Sequence, residues 1–207
     1  MAYYVGDIPV EDIVIEPARN GEPIDLTNFN AADSAVDVRD PAGLLVSAEF
    51  FVDFTEEGEV MIEWPSHTIF ETPGIYSLAV ILSNGVDALE RLAPVYIVAQ
   101  LVDGWMTVDG AREVWRDAPS DDARLAQILD LAKQQVLAYA PTLAADAPVP
   151  ANYREGQLMQ SRNLWNAGRV DPSSGGIGEE DFVIRPFPLD WMVKQVLRPA
   201  SGKPVVR

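Results

Sequence analysis

The chain changes its hydrophobic period once, near Asp103, and that change constrains its fold more than any other feature. Before it, apolar residues come in short bursts rich in β-branched and aromatic side chains, at 12–16, 35–38, 44–54, 59–64, 74–82 and 94–98. Turn-forming pairs separate the bursts: Asn20-Gly21, Asp40-Pro41, Glu57-Gly58, Pro73-Gly74 and Asn84-Gly85. Within 59–64 the alternation puts Val60, Ile62 and Trp64 on one face, the pattern of a half-buried strand. About seven short strands in roughly 100 residues predict an immunoglobulin-like β-sandwich. The chain has no cysteine, so the usual inter-sheet disulfide is absent.

After the change the period is helical. Ser120 is a good N-cap, and Asp121 and Asp122 suit the positive end of a helix dipole. Leu125, Ile128, Leu129, Ala132, Val136 and Tyr139 then form one apolar stripe, with Gln127, Asp130 and Gln134 turned away from it, and Pro141 ends the helix. Pro150 suits the first position of a further helix that reaches Ala167 and is capped by Gly168. Shorter helices are expected over about 108–116 and about 189–197, the last stopped by Pro199. The expected fold class is therefore multidomain, β plus α: a sandwich over 1–103, a bundle of about four helices with a long loop or hairpin over 104–199, and a flexible tail over 200–207. Residues 171–181 form the glycine-bearing polar loop, followed by the strand-like 182–185.

Charge divides at the same place. The whole chain carries 32 acidic against 15 basic residues, a formal −17. Residues 1–103 hold 19 of those acids and only Arg19, Arg39 and Arg91, whereas 104–207 hold 13 acids and 12 bases. So acidic a chain is not one that coats duplex DNA through a basic surface. The first residues lack the basic and apolar regions of a signal peptide. Apolar runs such as 78–82 are far shorter than the roughly 20 residues a membrane-spanning helix needs, and no membrane partner is expected.

The residues offer little to catalysis. Without cysteine there is no thiol nucleophile or thiolate zinc site, and a single histidine, His67, excludes a multi-histidine metal centre. Gly175-Gly-Ile-Gly178 has no Lys-Ser/Thr after it, and Glu179, Glu180 and Asp181 would repel phosphate. Ser173 or Ser174 as nucleophile would need a base, and His67 lies in the other half. The acids at 56–59 read as a solvated turn, and the cluster Asp117, Asp121 and Asp122 matches no metal-ligand spacing. No catalytic residue, metal or cofactor is assigned, and the chain is read as a non-enzyme. Arginine outnumbers lysine in the second half, through Arg112, Arg116, Arg124, Arg154, Arg162, Arg169 and Arg185 among others, and arginine suits partly desolvated ion pairs between subunits. Four tryptophans, Trp105, Trp115, Trp165 and Trp191, serve a small core, with one or two left for contact surfaces.

The helical half resembles the head-to-tail adaptor, or connector, proteins of long-tailed phages of actinobacteria. The resemblance covers about 104–199. It rests on Val114-Trp-Arg-Asp-Ala-Pro119 leading into Asp121-Asp-Ala-Arg-Leu-Ala-Gln-Ile-Leu129, on Arg162-Asn-Leu-Trp-Asn-Ala167, on the glycine-bearing loop, and on Val183-Ile-Arg-Pro-Phe-Pro-Leu-Asp-Trp191 with Val196-Leu-Arg-Pro199. The first half is similar to the immunoglobulin-like module of phage baseplate upper proteins, through Asp25-Leu26, Asp40-Pro-Ala-Gly43, Gly58-Glu-Val-Met-Ile-Glu-Trp64 and Thr72-Pro-Gly-Ile-Tyr76. Compact adaptors lack such a module.

The resemblance implies a structural virion protein, made in the bacterial host cytoplasm and placed at the neck. There a ring, commonly of twelve copies, sits under the portal protein, extends the DNA channel and meets the next neck or head-completion protein. DNA passes through without sequence-specific binding. A ring needs heterologous interfaces, for which Arg124, Arg154, Arg162, Trp165 and Arg169 are the candidates. The loop residues Ser173, Gly175, Gly176, Ile177 and Gly178 would face the channel or a neighbour. The tail residues Arg198, Lys203, Val205, Val206 and Arg207 would dock on the portal as an added strand. The alternative reading is a decoration or host-surface binding module, in which the sandwich recognises a glycan or protein and the helices only attach it. Exposed Trp64, Phe70 or Tyr76 clustered at one end would favour that alternative.

Overall fold

The computed structural model of the chain describes residues 1–86, 89–144, 147–168 and 189–198. Internal contacts divide the chain into two compact units, Met1–Leu101 and Val102–Arg207. The first is built of strands and the second of helices, so the class is β plus α.

The first unit contains two main sheets. Strands β1 (Ala2–Tyr4), β10 (Val95–Gln100), β8 (Gly74–Ser83) and β5 (Ala35–Arg39) lie in that order in one sheet. In it β1 runs parallel to β10 and the other pairs are antiparallel. Strand β9 (Leu89–Arg91) pairs with the far end of β8, on the side that β10 uses further back, since Ile81 faces both Ala35 and Arg91. The second sheet is β2 (Ile13–Ile15), β7 (Val60–Glu63) and β6 (Phe51–Phe54), all antiparallel. A small hairpin joins β3 (Ala18–Arg19) to β4 (Glu22–Pro23) through Asn20 and Gly21, both at positive φ as such a two-residue turn demands.

The alternation expected in 59–64 holds: Val60 and Ile62 are fully buried, Glu63 is exposed and Trp64 half-buried. Val38, Leu78, Val80, Leu82 and Ile97 complete the core from the other sheet. The long burst at 44–54 is not one strand. Only Phe51–Phe54 pairs in the second sheet, while Leu45 makes a single bridge to Arg39. Asp40 explains the break, because its carboxylate accepts from the amides of Ala42 and Leu44 and curls the chain into a turn. Gly74 opens β8 at φ 142°, where a Cβ would stand 2.6 Å from the ring of Pro41.

The second unit holds α1 (Val108–Val114), α2 (Asp122–Tyr139), α3 (Ala151–Ala167) and α4 (Trp191–Leu197). The apolar stripe of α2 is buried as its spacing predicts, except that Tyr139 is half-buried, and Gln127, Asp130 and Gln134 are exposed. Two boundaries differ from expectation by one residue. Asp121, not Ser120, is the N-cap of α2, accepting from the Ala123 amide at 2.9 Å, and Pro150 is the N-cap of α3 rather than its first turn. Helix α4 starts at Trp191, and Leu189 is buried just before it. Val136, Ala140, Tyr153, Leu189, Val193 and Leu197 form one cluster of the helical core.

Candidate functional site

The side chains expected to meet neighbours separate into three groups. Arg124 on α2 and Arg154 on α3 are exposed. Arg162 is half-buried, and its Nη2 donates to the Val114 carbonyl at 2.7 Å, closing the end of α1 against α3. A long guanidinium satisfying a terminal helix carbonyl is an intramolecular use of arginine. Trp165 is half-buried. Arg169, the loop residues Ser173, Gly175, Gly176, Ile177 and Gly178, and the tail residues Lys203, Val205, Val206 and Arg207 lie outside the described residues, as does the strand-like 182–185.

Arg198 caps α4. Its amide donates to the Lys194 carbonyl, and its guanidinium lies 4.9 Å from the ring centre of Tyr139, with the Lys194 ammonium 5.9 Å from the same ring. Two cations on one aromatic face thus hold the C-terminus of α4 to the end of α2. At the other end of α4, Trp191 is 67% exposed and Met192 lies exposed beside it. Of the tryptophans, Trp115 is buried and Trp105 half-buried, with the Lys133 ammonium 5.3 Å from its ring centre.

The element that fixes the helices had no signal in the hydrophobic pattern. Gln157 is buried on α3, accepts from the Met106 amide at 2.8 Å and donates to the Leu129 carbonyl at 3.0 Å. Gln160 donates to Gln135 at 2.7 Å, and the Ser161 hydroxyl donates to the Gln157 carbonyl at 2.8 Å. Arg112 on α1 reaches Asp122 through Nε at 3.1 Å and the Ser120 carbonyl through Nη2 at 2.8 Å. Burial pushes the Asp122 carboxyl up. The hydrogen bond and charge of Arg112 pull the other way, toward a lower value.

In the first unit, five rings make one chain of contacts. Tyr3 stacks on Phe70 at 5.2 Å, Trp64 meets Tyr3 and Phe70 edge-on at 5.8 Å, Phe50 lies 6.2 Å from Trp64, and Tyr76 meets Phe70 at 5.2 Å. Phe70 and Tyr76 are buried, and Trp64 spends its indole N–H on the Glu11 carbonyl. Phe70 and Tyr76 are therefore core, while Tyr3, Phe50 and Trp64 stay half-buried. The Tyr76 hydroxyl donates to the Thr72 carbonyl and accepts from the Thr72 amide, 3.1 and 3.2 Å away. Burial and then the charge of Glu11 push the Tyr3 phenol above its ordinary value.

The same unit has an open cleft of about 630 Å³ beside β5, with Leu45, Phe51, Trp64 and His67 in its walls. Exposed apolar side chains and carboxylates share it. Among the described residues, no three of His, Asp and Glu are grouped to hold a metal ion, and no helix is long and apolar enough to cross a membrane. No family model matches the chain, and no curated protein or solved structure matches it either.

Proposed function

We propose that the chain is a structural, non-enzymatic subunit of a phage neck, located in the virion at the head-to-tail junction. Its helical unit forms a ring that joins the portal to the tail-side neck proteins and extends the DNA channel. The observation that carries this reading is the ordered set of four helices, with the quoted stretches at their junctions. The residues 114–119 end α1 and lead into α2, 162–167 end α3, and 189–191 enter α4. Rigid helices braced from within by Gln157, Arg112 and Arg162 leave Arg124, Arg154, Trp191 and Met192 outward, where a heterologous interface can use them.

The first unit is read as an immunoglobulin-like sandwich. The strand orders β1-β10-β8-β5 and β2-β7-β6 support that, because a sandwich of this type places its second, fifth and fourth strands in one sheet and its third, sixth and seventh in the other. The bond from the Tyr76 hydroxyl to Thr72 supports it too, having the form of the tyrosine corner of such folds. With three bases among its residues, the unit serves as an acidic outer module that keeps a many-copy assembly soluble.

Negative-stain images of the full chain mixed with the portal test the ring reading: rings capping the portal are the expected result. Deleting residues 200–207 should weaken capture of the chain by immobilised portal, and unchanged capture would remove the tail from the docking role. Residues 171–181 should gain protease protection on assembly; equal protection of the free chain and the virion would count against their contact role. For the glycan form of the alternative reading, Phe70 and Tyr76 are buried, and Trp64 is the one of its three rings that lines the open cleft.

A further inference from the structure

Strand β5 pairs with β8 along one side only. On its other side a hairpin begins and then stops. The Asp40 amide donates to the Leu44 carbonyl at 2.9 Å, Arg39 stands opposite Leu45, and the Val46 amide donates to the Val38 carbonyl at 2.8 Å. Hydrogen-bonded pairs in an antiparallel ladder recur every second residue, so the next rung would set Val36 against Ala48. It does not form, because the chain leaves the ladder after Val46. Val36 and Ala48 instead both line the cleft of about 630 Å³. The alternation that turns the Val38 carbonyl away from β8 turns the N–H and C=O of Val36 the same way, into that cleft.

This edge lacks the usual protection. Strand β5 has no lysine and no proline, and its one cation, Arg39, is spent on the Gly43 carbonyl at 2.9 Å. Leu45 and Phe51 are 60% and 64% exposed beside it. Glu49 and Glu63 also line the cleft and are exposed, while Asp37 has Arg91 at 3.2 Å. Residues 1–101 contain only three basic side chains, so the surrounding field is strongly negative.

We infer that this cleft takes an extended segment of a partner protein, added as a strand to the edge of β5, with apolar residues alternating with lysine or arginine. The backbone of the segment claims the groups of Val36, its apolar residues cover Leu45 and Phe51, and its cations meet Glu49 and Glu63. Neither the helical unit nor the neck reading enters this inference.

The test titrates the full, isotope-labelled chain with a capped peptide, Lys-Val-Thr-Val-Lys-Val-Thr-Lys, following backbone amide signals. Shifts centred on Val36 and on residues 47–49 are expected, and they should vanish when alternate peptide nitrogens are methylated. The double variant Glu49→Lys, Glu63→Lys, at two exposed positions, should weaken binding at least tenfold without moving the melting temperature by more than a few degrees. A peptide with glutamate for lysine should not bind. Absence of shifts at millimolar peptide, shifts spread over the whole acidic surface, or equal binding of the glutamate peptide would each overturn the inference. So would concentration-dependent shifts at Val36 in the chain alone, since the occupant would then be a second copy.

Discussion

The two units hold themselves together by different means. The β unit packs rings and branched aliphatics: Tyr3, Phe50, Trp64, Phe70 and Tyr76 touch in series beneath two sheets. The helical unit puts polar side chains inside. Among the described residues, the three fully buried polar side chains, Gln157, Gln160 and Ser161, all lie on α3. Apolar burial is non-directional and scales with area. A buried amide has to find partners at fixed geometry, and leaving one unmade is costly. The first unit therefore gains stability from area, and its register from strand pairing. The second buries apolar residues too, and in addition sets the height of α3 against α2 through Gln157 and Leu129.

Five substitutions can break or sharpen that contrast. Phe70→Ala should cost the most, about 3–5 kcal/mol, because the ring is fully buried and touches Tyr3, Trp64 and Tyr76. Chemical denaturation followed by near-ultraviolet circular dichroism checks it, and a loss below about 1 kcal/mol would mean that the rings are not the main support. Gln157→Leu keeps the volume but strands the Met106 amide, and should cost about 1–3 kcal/mol. If the variant proved more stable than the parent, the buried amide would be no brace. Tyr76→Phe removes only the hydroxyl bonds to Thr72 and should cost about 1 kcal/mol, measured from the shift of the same denaturation curve.

Asp121→Ala should cost about 1 kcal/mol or less in helical stability, read from the helical ellipticity during thermal melting. Asp122 adds a pH effect of known sign. The hydrogen bond and charge of Arg112 lower its carboxyl in the folded chain, so the stabilising effect of that pairing is present above the ordinary 3.8 and fades as the pH falls through the lower folded value. Replacing it by asparagine should flatten the acid limb of the stability curve. An unchanged limb would place the acid sensitivity elsewhere, among the carboxylates of the β unit.

Much of the architecture was legible in the sequence because solvent imposes the period. Strand alternation at 59–64 and the helical stripe from Leu125 to Val136 both follow from keeping apolar groups dry on one side. The illegible parts share one cause, which is long-range pairing. Strand β1 is three residues long and is made a strand by its parallel partner β10, nearly a hundred residues away. The burst at 44–54 looks like one strand, but the Asp40 turn and the departure after Val46 divide it and open the cleft. Nothing in the spacing marks Gln157 for burial; the fold brings its two backbone partners, Met106 and Leu129, to it. That Arg162 reaches the Val114 carbonyl at the end of α1 likewise has no sign in the spacing of the sequence.

The sequence by itself determined the two classes of structure, the place where one gives way to the other, and the concentration of acid in the first half. Each is local, set by propensity, period and charge along the chain. Only the tertiary structure decided which polar groups are buried, which arginines are already engaged, that Phe70 and Tyr76 are core, and that the hairpin on the outer edge of β5 stops short of Val36. Those are matters of which distant backbone or side-chain group lies within hydrogen-bonding distance, and spacing along a chain does not fix distance across a fold.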